Sequence, residues 1–434
     1  MAEIARASRL VINRTEALER LRASVPPNVR TVCETLGNAG FQSVAVGGAV
    51  RDAILDRAPG DWDVATAATP DQVLALFKRT IPTGLQHGTV TIVTGRGALS
   101  HVEVTTFRGE GAYTDARRPD HVRFGVPLVE DLARRDLRVN AMAYDPQNHE
   151  LIDPYDGMAD LEEGVLRAVG PTGNVFEDAV ARFTEDGLRV MRAVRFAAKL
   201  ELPLHPDTLL GITPALPSLA KVSRERVSDE LRKILATKQP SLALLPAWHS
   251  GIISSILPAL AGIQIERWAE RVDRAPVEAR LGALVADLGV LDGQRLSAKC
   301  VKQIGDLLRA LKFSNEELTV ASAIAAASPA IAVAWTEPAL RRLLSDITRP
   351  RAALAVALWH GTSRSPELAA QASTILARGD ALATSELAVT GNDLMTELGM
   401  PAGPAIGKTL RALFERVLDE PALNDRSTLL GLAR

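Results

Sequence analysis

Residues Val44 to Thr66 read VAVGGAVRDAILDRAPGDWDVAT, and this stretch decides the fold of the first part of the chain. Val44 to Val46 suits a short strand, Gly47-Gly48 permits a tight turn with close backbone approach to a ligand, and Ala49 to Leu55 reads as a helix start. Asp61 and Asp63 follow, one residue apart. In a strand, side chains at i and i+2 leave the same face, so both carboxylates stand over one small volume. Hard oxygen ligands so placed favour Mg²⁺, which takes one or two carboxylates and completes its shell with water and phosphate oxygens. Read alone, D-x-D equally describes two solvated acids at a strand end. The preceding turn favours nucleotide chemistry, because backbone N–H groups at a helix start cradle phosphates and Arg51 adds a charge-assisted fork. No Walker lysine follows, which excludes an ordinary P-loop.

Working outward, Thr89 to Thr94 (TVTIVT) and His101 to Phe107 (HVEVTTF) are rich in β-branched residues, and the glycines of Gly95 to Gly97 between them predict a hairpin. Glu103 lies in the second strand. Facing the same way as Asp61 and Asp63, it would complete a carboxylate cluster suited to two metal ions and in-line phosphoryl displacement; facing away, it is an exposed strand glutamate. Arg108 to Val122 (RGEGAYTDARRPDHV) has the glycine content and charge of a mobile loop. Asp131 to Ala143 reads as a helical turn passing into a strand near Met142 to Tyr144, with Arg135 and Asp131 at the i, i+4 spacing of a surface ion pair. Glu185 to Phe196 (EDGLRVMRAVRF) reads as a helix with Asp186 and Arg189 on one face, in which Gly187 costs up to ~1 kcal/mol against alanine.

In order along the chain, GGAVRD at Gly47, DWD at Asp61, HGTVTIV at His87, EVTTFR at Glu103, RRPD at Arg117, ARRDLRVNAMAYD at Ala133, IDPYDGMADL at Ile152 and EDGLRVMRAVRF at Glu185 resemble the class II tRNA nucleotidyltransferases. This is the bacterial group that builds the CCA end of tRNA, together with its relatives the bacterial poly(A) polymerases. The resemblance implies an α+β fold: a polymerase-β-like nucleotidyltransferase head with a mixed sheet over residues 28–160, then an all-helical neck (161–236), body (237–335) and tail (336–434). It implies Asp61, Asp63 and Glu103 as catalytic groups, with Asp61 and Asp63 holding Mg²⁺. Nucleotide binding falls to Gly47, Gly48, Arg51, Arg135, Asn140, Asp186, Arg189, Arg192 and Arg195. The implied reaction is addition of C, C and A to tRNA from CTP and ATP with release of pyrophosphate. Alternatives are a poly(A) polymerase, or an enzyme adding only CC or only A. The family usually has threonine where Arg138 stands, and that arginine is left outside the site.

Base choice follows from hydrogen-bond polarity. Cytosine and adenine each present an exocyclic amine beside an unprotonated ring nitrogen, whereas uracil and guanine present a carbonyl beside N–H. A carboxylate accepting from the amine and a guanidinium donating to the ring nitrogen therefore suit C and A together. The resemblance gives this task to Asp186 and Arg189, and links the loop after Arg108 to the switch from C to A. The length of that loop argues against a CC-only enzyme. A glycine-bearing turn at Asp153 to Asp160 is a candidate hinge.

Composition agrees with this reading. The 434-residue chain has room for two to four domains, and aromatics at 4% leave an aliphatic core. A net charge of −2 means that nucleic acid must be met by local patches rather than overall charge. Cys33 and Cys300 imply neither a disulfide framework nor a zinc site. No apolar run nears eighteen residues and no signal-peptide core opens the chain, so a cytoplasmic protein without membrane or obligatory protein partner is expected. After about residue 160 alanine and leucine dominate and helical spacing takes over. Near the end, Val389 to Leu413 predicts a helix, a glycine and proline turn and a second helix, with Lys408 and Arg411 placed to meet an RNA phosphate or simply to decorate an αα-hairpin. The resemblance implies that body and tail grip the acceptor and TΨC arms of tRNA, by shape and backbone. It favours CCA addition over poly(A) synthesis, since poly(A) polymerases commonly carry a strongly basic C-terminal extension.

Overall fold

The computed structural model describes residues 12–95, 100–110, 122–332, 334–361 and 366–434, and the chain divides into two compact units. The first comprises residues 1–230 and 242–256, the second residues 231–241 and 257–434.

The first unit is built on a seven-stranded sheet. Its strands are β1 (Ser43–Val46), β2 (Asp63–Thr66), β3 (Thr80–Gly84), β4 (Thr89–Val93), β5 (His101–Thr106), β8 (Ala143–Asp145) and β9 (Glu150–Ile152). Two short strands, β6 (Arg108–Glu110) and β7 (Val122–Phe124), form a separate antiparallel pair. The order across the main sheet is β3-β4-β5-β2-β1-β8-β9. Only β2 and β5 run parallel, so the sheet is mixed. The β4–β5 hairpin predicted from its β-branched residues is present, Thr91 facing Glu103 in its register. Val44, Val46, Ala65, Phe107, Leu128, Leu132, Ala141 and Ala143 form the core under the sheet. Burial of this largely aliphatic set contributes the non-directional hydrophobic stabilisation that holds the sheet to its covering segments.

The turn between β1 and the helix Gly48–Ile54 has the geometry its glycines allow. Gly47 adopts φ 79° and ψ −132°, a conformation closed to L side chains, and a Cβ there would lie 2.9 Å from Arg135 Nη1. Part of the loop after Arg108 and the RRPD motif lie outside the described residues. The candidate hinge is a cinched turn, in which both carboxylate oxygens of Asp153 accept from Gly157 and Met158 N–H at 2.8 Å. Gly157 fits there because a Cβ would stand 2.4 Å from the Arg138 carbonyl oxygen.

Helices follow in both units. The predicted helix at Glu185 to Phe196 is instead two: Val175–Glu185 ends at Asp186, and Leu188–Leu200 begins after Gly187. In the second unit, Ile265–Arg274, Ala298–Ala310, Asn315–Ala327, Glu337–Ile347, Arg349–Gly361 and Pro366–Arg378 stand where helical spacing placed them. Glu278 to Leu288, whose spacing is helical throughout, is broken into two 3₁₀ turns flanking Arg280–Leu284. A small ribbon pairing Leu291–Asp292 with Arg295–Leu296 is a departure from the all-helical expectation. Its reversal sits on Gly293 at φ 61°, a turn signal that helical counting overlooks. The terminal hairpin has helices Gly391–Leu398 and Pro404–Asp419, as expected.

Candidate nucleotide-binding and catalytic site

β2 begins at Asp63, not at Asp61 as expected. Val64, Ala65 and Thr66 are buried within it, while Asp63 at its first position is exposed, as is Asp61 just ahead of the strand beside the buried Trp62. Parallel pairing sets Asp63 opposite Glu103, which is also on the exposed face. Asp63 and Glu103 therefore share one side of the sheet, and Asp61 lies close enough for its charge to act on Asp63. Asp63 opens onto a cavity but is enclosed by protein elsewhere. This desolvation, with the charge of Glu103, pushes its carboxyl up to about 6; Arg135 pulls it down and Asp61 adds a smaller push. Among the described residues no three carboxylate, histidine or cysteine side chains close around a point as a cage. An uncompensated pair of acids beside an open cavity nevertheless fits a hard divalent ion that shares its shell with water and phosphate.

The cavity has a volume of about 500 Å³. Gly47, Gly48, Arg51, Asp63, Arg135, Asn140, Asp186, Arg189, Arg192 and Arg195 all line it, so ten of the sequence-derived site residues converge on one place. Glu103 stands beside it on the sheet face, opposite Asp63, and Asp61 precedes the same strand as Asp63. Arg108, Arg134, Asp136, Leu188, Phe196, Lys199 and Arg226 also line it, and sequence reasoning missed them.

The wall of the cavity is a buried polar network. Arg51, 1% exposed, donates to Asp52 Oδ1 from Nε at 2.8 Å and from Nη2 at 2.6 Å, and to the Asn140 side-chain oxygen. Asn140 Nδ2 donates to Asp136 Oδ1 at 2.9 Å, and two nitrogens of Arg192 reach Asp136 Oδ2 at 2.7 Å. Burial opposes the charge on Asp136, yet Arg192, Asn140 and the Leu137 N–H hold it well below the usual carboxylate range. Burial also lowers Arg51 and Arg135 from the ordinary arginine value, against the pull of Asp52 and Asp131 respectively. The hydrogen bonds joining Arg51, Asn140, Asp136 and Arg192 fix these side chains relative to one another. Asn140 therefore has its amide committed to Arg51 and Asp136, which makes it a brace between the glycine turn and the Leu188–Leu200 helix. The guanidinium groups of Arg51, Arg192 and Arg195 lie 5.3, 5.5 and 4.2 Å from the centre of the Phe196 ring, within cation–π range.

At the other end, Asp186 lies in the break between helices. Its Oδ1 accepts from Leu188 N–H at 3.0 Å, and its Oδ2 from Arg226 at 3.0 Å. Arg189 Nη1 donates to Glu185 at 2.6 Å and to the Arg182 carbonyl at 3.0 Å. Glu230, one helical turn beyond Arg226, binds Arg195 Nε at 2.5 Å. The i, i+4 spacing of Arg226 and Glu230 in RERVSDEL was the signal that could have found them. Arg138 is turned away from the cavity: its charge acts on Asp160 and His205, and its Nε is buried without a hydrogen-bond partner.

Paired aspartates on a mixed sheet, beside an arginine-lined cavity behind a Gly-Gly turn, define a nucleotidyltransferase head. The family model described as the Poly A polymerase head domain matches residues 44–167. A model for domain 2 of tRNA nucleotidyltransferases matches residues 296–433, and one for an RNA- and SrmB-binding site of polymerase A matches residues 201–263. The CCA-adding enzyme of Geobacillus thermodenitrificans is 36% identical, over 92% of this chain and 94% of its own. That of Leuconostoc mesenteroides is 33% identical, over 94% of this chain and 96% of its own. Among solved structures, the Bacillus stearothermophilus CCA-adding enzyme in complex with CTP superposes with a TM-score of 0.70 at 31% identity, covering 94% of this chain and 97% of that one. The chain belongs to the class II CCA-adding enzymes, nucleotidyltransferases that complete the 3′ end of tRNA.

Proposed function

We propose that this chain adds C, C and A in turn to tRNA lacking its terminal triplet, using CTP and ATP, in a Mg²⁺-dependent reaction centred on the arginine-lined cavity. The 3′-hydroxyl of the tRNA attacks the α-phosphate, a new P–O bond forms, the α–β bridging bond breaks, and pyrophosphate leaves. Asp61 and Asp63 would hold the metal, which when bound offsets phosphate charge and polarises the reacting oxygens. Glu103, opposite Asp63, orients the attacking hydroxyl or takes up its proton. Gly47, Gly48 and Arg135 bring backbone and charge to the triphosphate, and Arg192 and Arg195 extend that positive wall. Rate comes mostly from positioning and charge neutralisation.

Asp186 and Arg189 read the base. A carboxylate has about four acceptor positions, so Asp186 keeps room for an exocyclic amine while bound to Leu188 N–H and Arg226. Uracil or guanine would leave a buried donor or acceptor unpaired, at ~1 to 3 kcal/mol each. The expected body and tail, residues 237–335 and 336–434, supply the grip on the acceptor and TΨC arms, while the expected neck, residues 161–236, carries the base-reading pair. Among the described residues no helix is long and apolar enough to cross a membrane.

The observation that supports this reading best is the register placing Asp63 against Glu103 at the edge of a cavity that also contains Asp186 and Arg189. The test is to incubate the protein with tRNA ending before CCA and each nucleoside triphosphate, singly and in pairs, and to sequence the products. Addition of C, C and A followed by arrest supports the reading. A long adenosine tail, or arrest after CC with both nucleotides present, overturns it in favour of a poly(A) polymerase or a CC-adding enzyme.

A further inference from the structure

The cations lining the cavity from the Leu188–Leu200 helix are Arg189, Arg192, Arg195 and Lys199. Spacings of three, three and four residues keep them on one face. At 1.5 Å per residue the row is about 15 Å long, enough to run from a base at Arg189 to the far end of an extended triphosphate. Three of the four hold a carboxylate at 2.5 to 2.7 Å: Arg189 holds Glu185, Arg192 holds Asp136 and Arg195 holds Glu230. Lys199 differs. Its Nζ lies 3.9 Å from Asp52 Oδ2, while Asp52 Oδ1 is occupied by Arg51. The lysine side chain is half exposed. Its backbone, however, is pinned: Arg57 donates to the Lys199 and Leu200 carbonyls at 3.1 and 3.0 Å, closing the helix end. A fixed stem carrying a loosely held ammonium beside the Arg51 end of the cavity suits a compact anion, since an ammonium is a mobile point charge and a guanidinium a rigid fork.

We propose that Lys199 is a positioning residue that grips the terminal phosphate of the incoming nucleoside triphosphate, and so gives the site its preference for triphosphates over diphosphates. The assignment rests on the cavity being the nucleotide site. The γ-phosphate displaces the long contact to Asp52 with a shorter one, and the same ammonium then holds the departing pyrophosphate.

The test compares Lys199→Ala and Lys199→Arg with the unaltered protein, measuring CTP steady-state kinetics and the affinities of CTP and CDP by calorimetry. Lys199→Ala should raise KM for CTP about tenfold, the loss of one charge-assisted contact, with most of the loss in KM rather than kcat. CDP affinity should stay within about twofold, so the CTP-to-CDP preference collapses. Lys199→Arg should restore most of the preference. Equal weakening of CTP and CDP, or no change in either, overturns the proposal. Arg189→Ala separates the two levels: if it abolishes CTP binding while Lys199→Ala changes nothing, the cavity reading stands and the lysine assignment falls. If neither substitution affects CTP binding, the cavity reading itself falls.

Discussion

Arg226 reaches Asp186 at 3.0 Å from forty residues further along the chain. The carboxylate assigned to read the base is thus held by a second helix, and its direction depends on a residue with no place in the base-reading pair. Removing Asp186 as Asp186→Ala should relax discrimination against UTP and GTP most strongly. Arg226→Ala should have a smaller effect of the same sign, about tenfold in the ratio of correct to incorrect kcat/KM, since it removes one charge-assisted contact and leaves the carboxylate on Leu188 N–H. Single-nucleotide incorporation assays with all four triphosphates measure both. Unchanged selectivity in Asp186→Ala would take this helix break out of base reading.

The acidic face makes a separate prediction. Asp61→Asn and Asp63→Asn keep the shape of the strand end and remove only negative charge, which at Asp63 is disfavoured first by burial and then by Glu103, as its raised carboxyl records. Folding should therefore be unaffected or slightly improved, while single-turnover transfer falls at least about a thousandfold. Circular dichroism melting together with rapid-quench kinetics on the same samples checks both halves. Near-normal turnover in either variant would be decisive against the metal assignment.

Much of this site was legible because strand alternation and glycine turns are local rules. The strand, glycine turn and helix of Val44 to Ile54 form where they were expected, β2 starts at Asp63 rather than Asp61, and Asp63 and Glu103 share a face because their register pairs them. What escaped was set by contacts between distant segments. Asp136 matters because Arg192, fifty-six residues on, ends against it. Arg226 and Glu230 belong to the site only once their helix is laid beside Leu188–Leu200. Phe196, buried like its apolar neighbours, also sits among three guanidinium groups, which no local pattern announces. Local spacing can put Arg226 and Glu230 on one face of their helix, but not say which helix that face meets.

In the second unit Arg232 clasps Glu317 at 2.6 Å and lies 4.7 Å from the centre of the Phe313 ring. That bond, opposed by partial burial and aided by the Ser314 N–H, lowers the Glu317 carboxyl from an ordinary 4.5 to about 2. A depressed carboxyl stabilises the folded state fully above the unfolded value and loses that contribution as pH falls through the folded one. Chemical denaturation between pH 6 and pH 2.5 should show the second unit of Glu317→Gln less stable than the parent at pH 6. The gap should narrow as pH drops below about 4.5. A gap constant across that range would mean the glutamate acts through its shape and capping hydrogen bond rather than its charge.

Gly187 gives a prediction in which local and tertiary physics have opposite signs. Its φ of −58° and ψ of −21° are ordinary helical values, so propensity alone says that alanine should stabilise the chain by up to ~1 kcal/mol. The tertiary structure says otherwise: a Cβ there would lie 2.2 Å from the Ser218 carbonyl carbon and 2.3 Å from Leu219 N. Those are backbone atoms of the helix Ile212–Leu219 and cannot swing aside as a side chain could. Accommodating the methyl group requires the two helices to part, an overpacking cost of ~1 to 3 kcal/mol that exceeds the propensity gain. Gly187→Ala should therefore lower Tm by roughly 5 °C. Because Asp186 and Leu188 flank the same break, it should also raise KM for CTP. A higher Tm with unchanged KM would show that the helix break tolerates a side chain, and that the glycine is there for some other reason than the approach of Ser218.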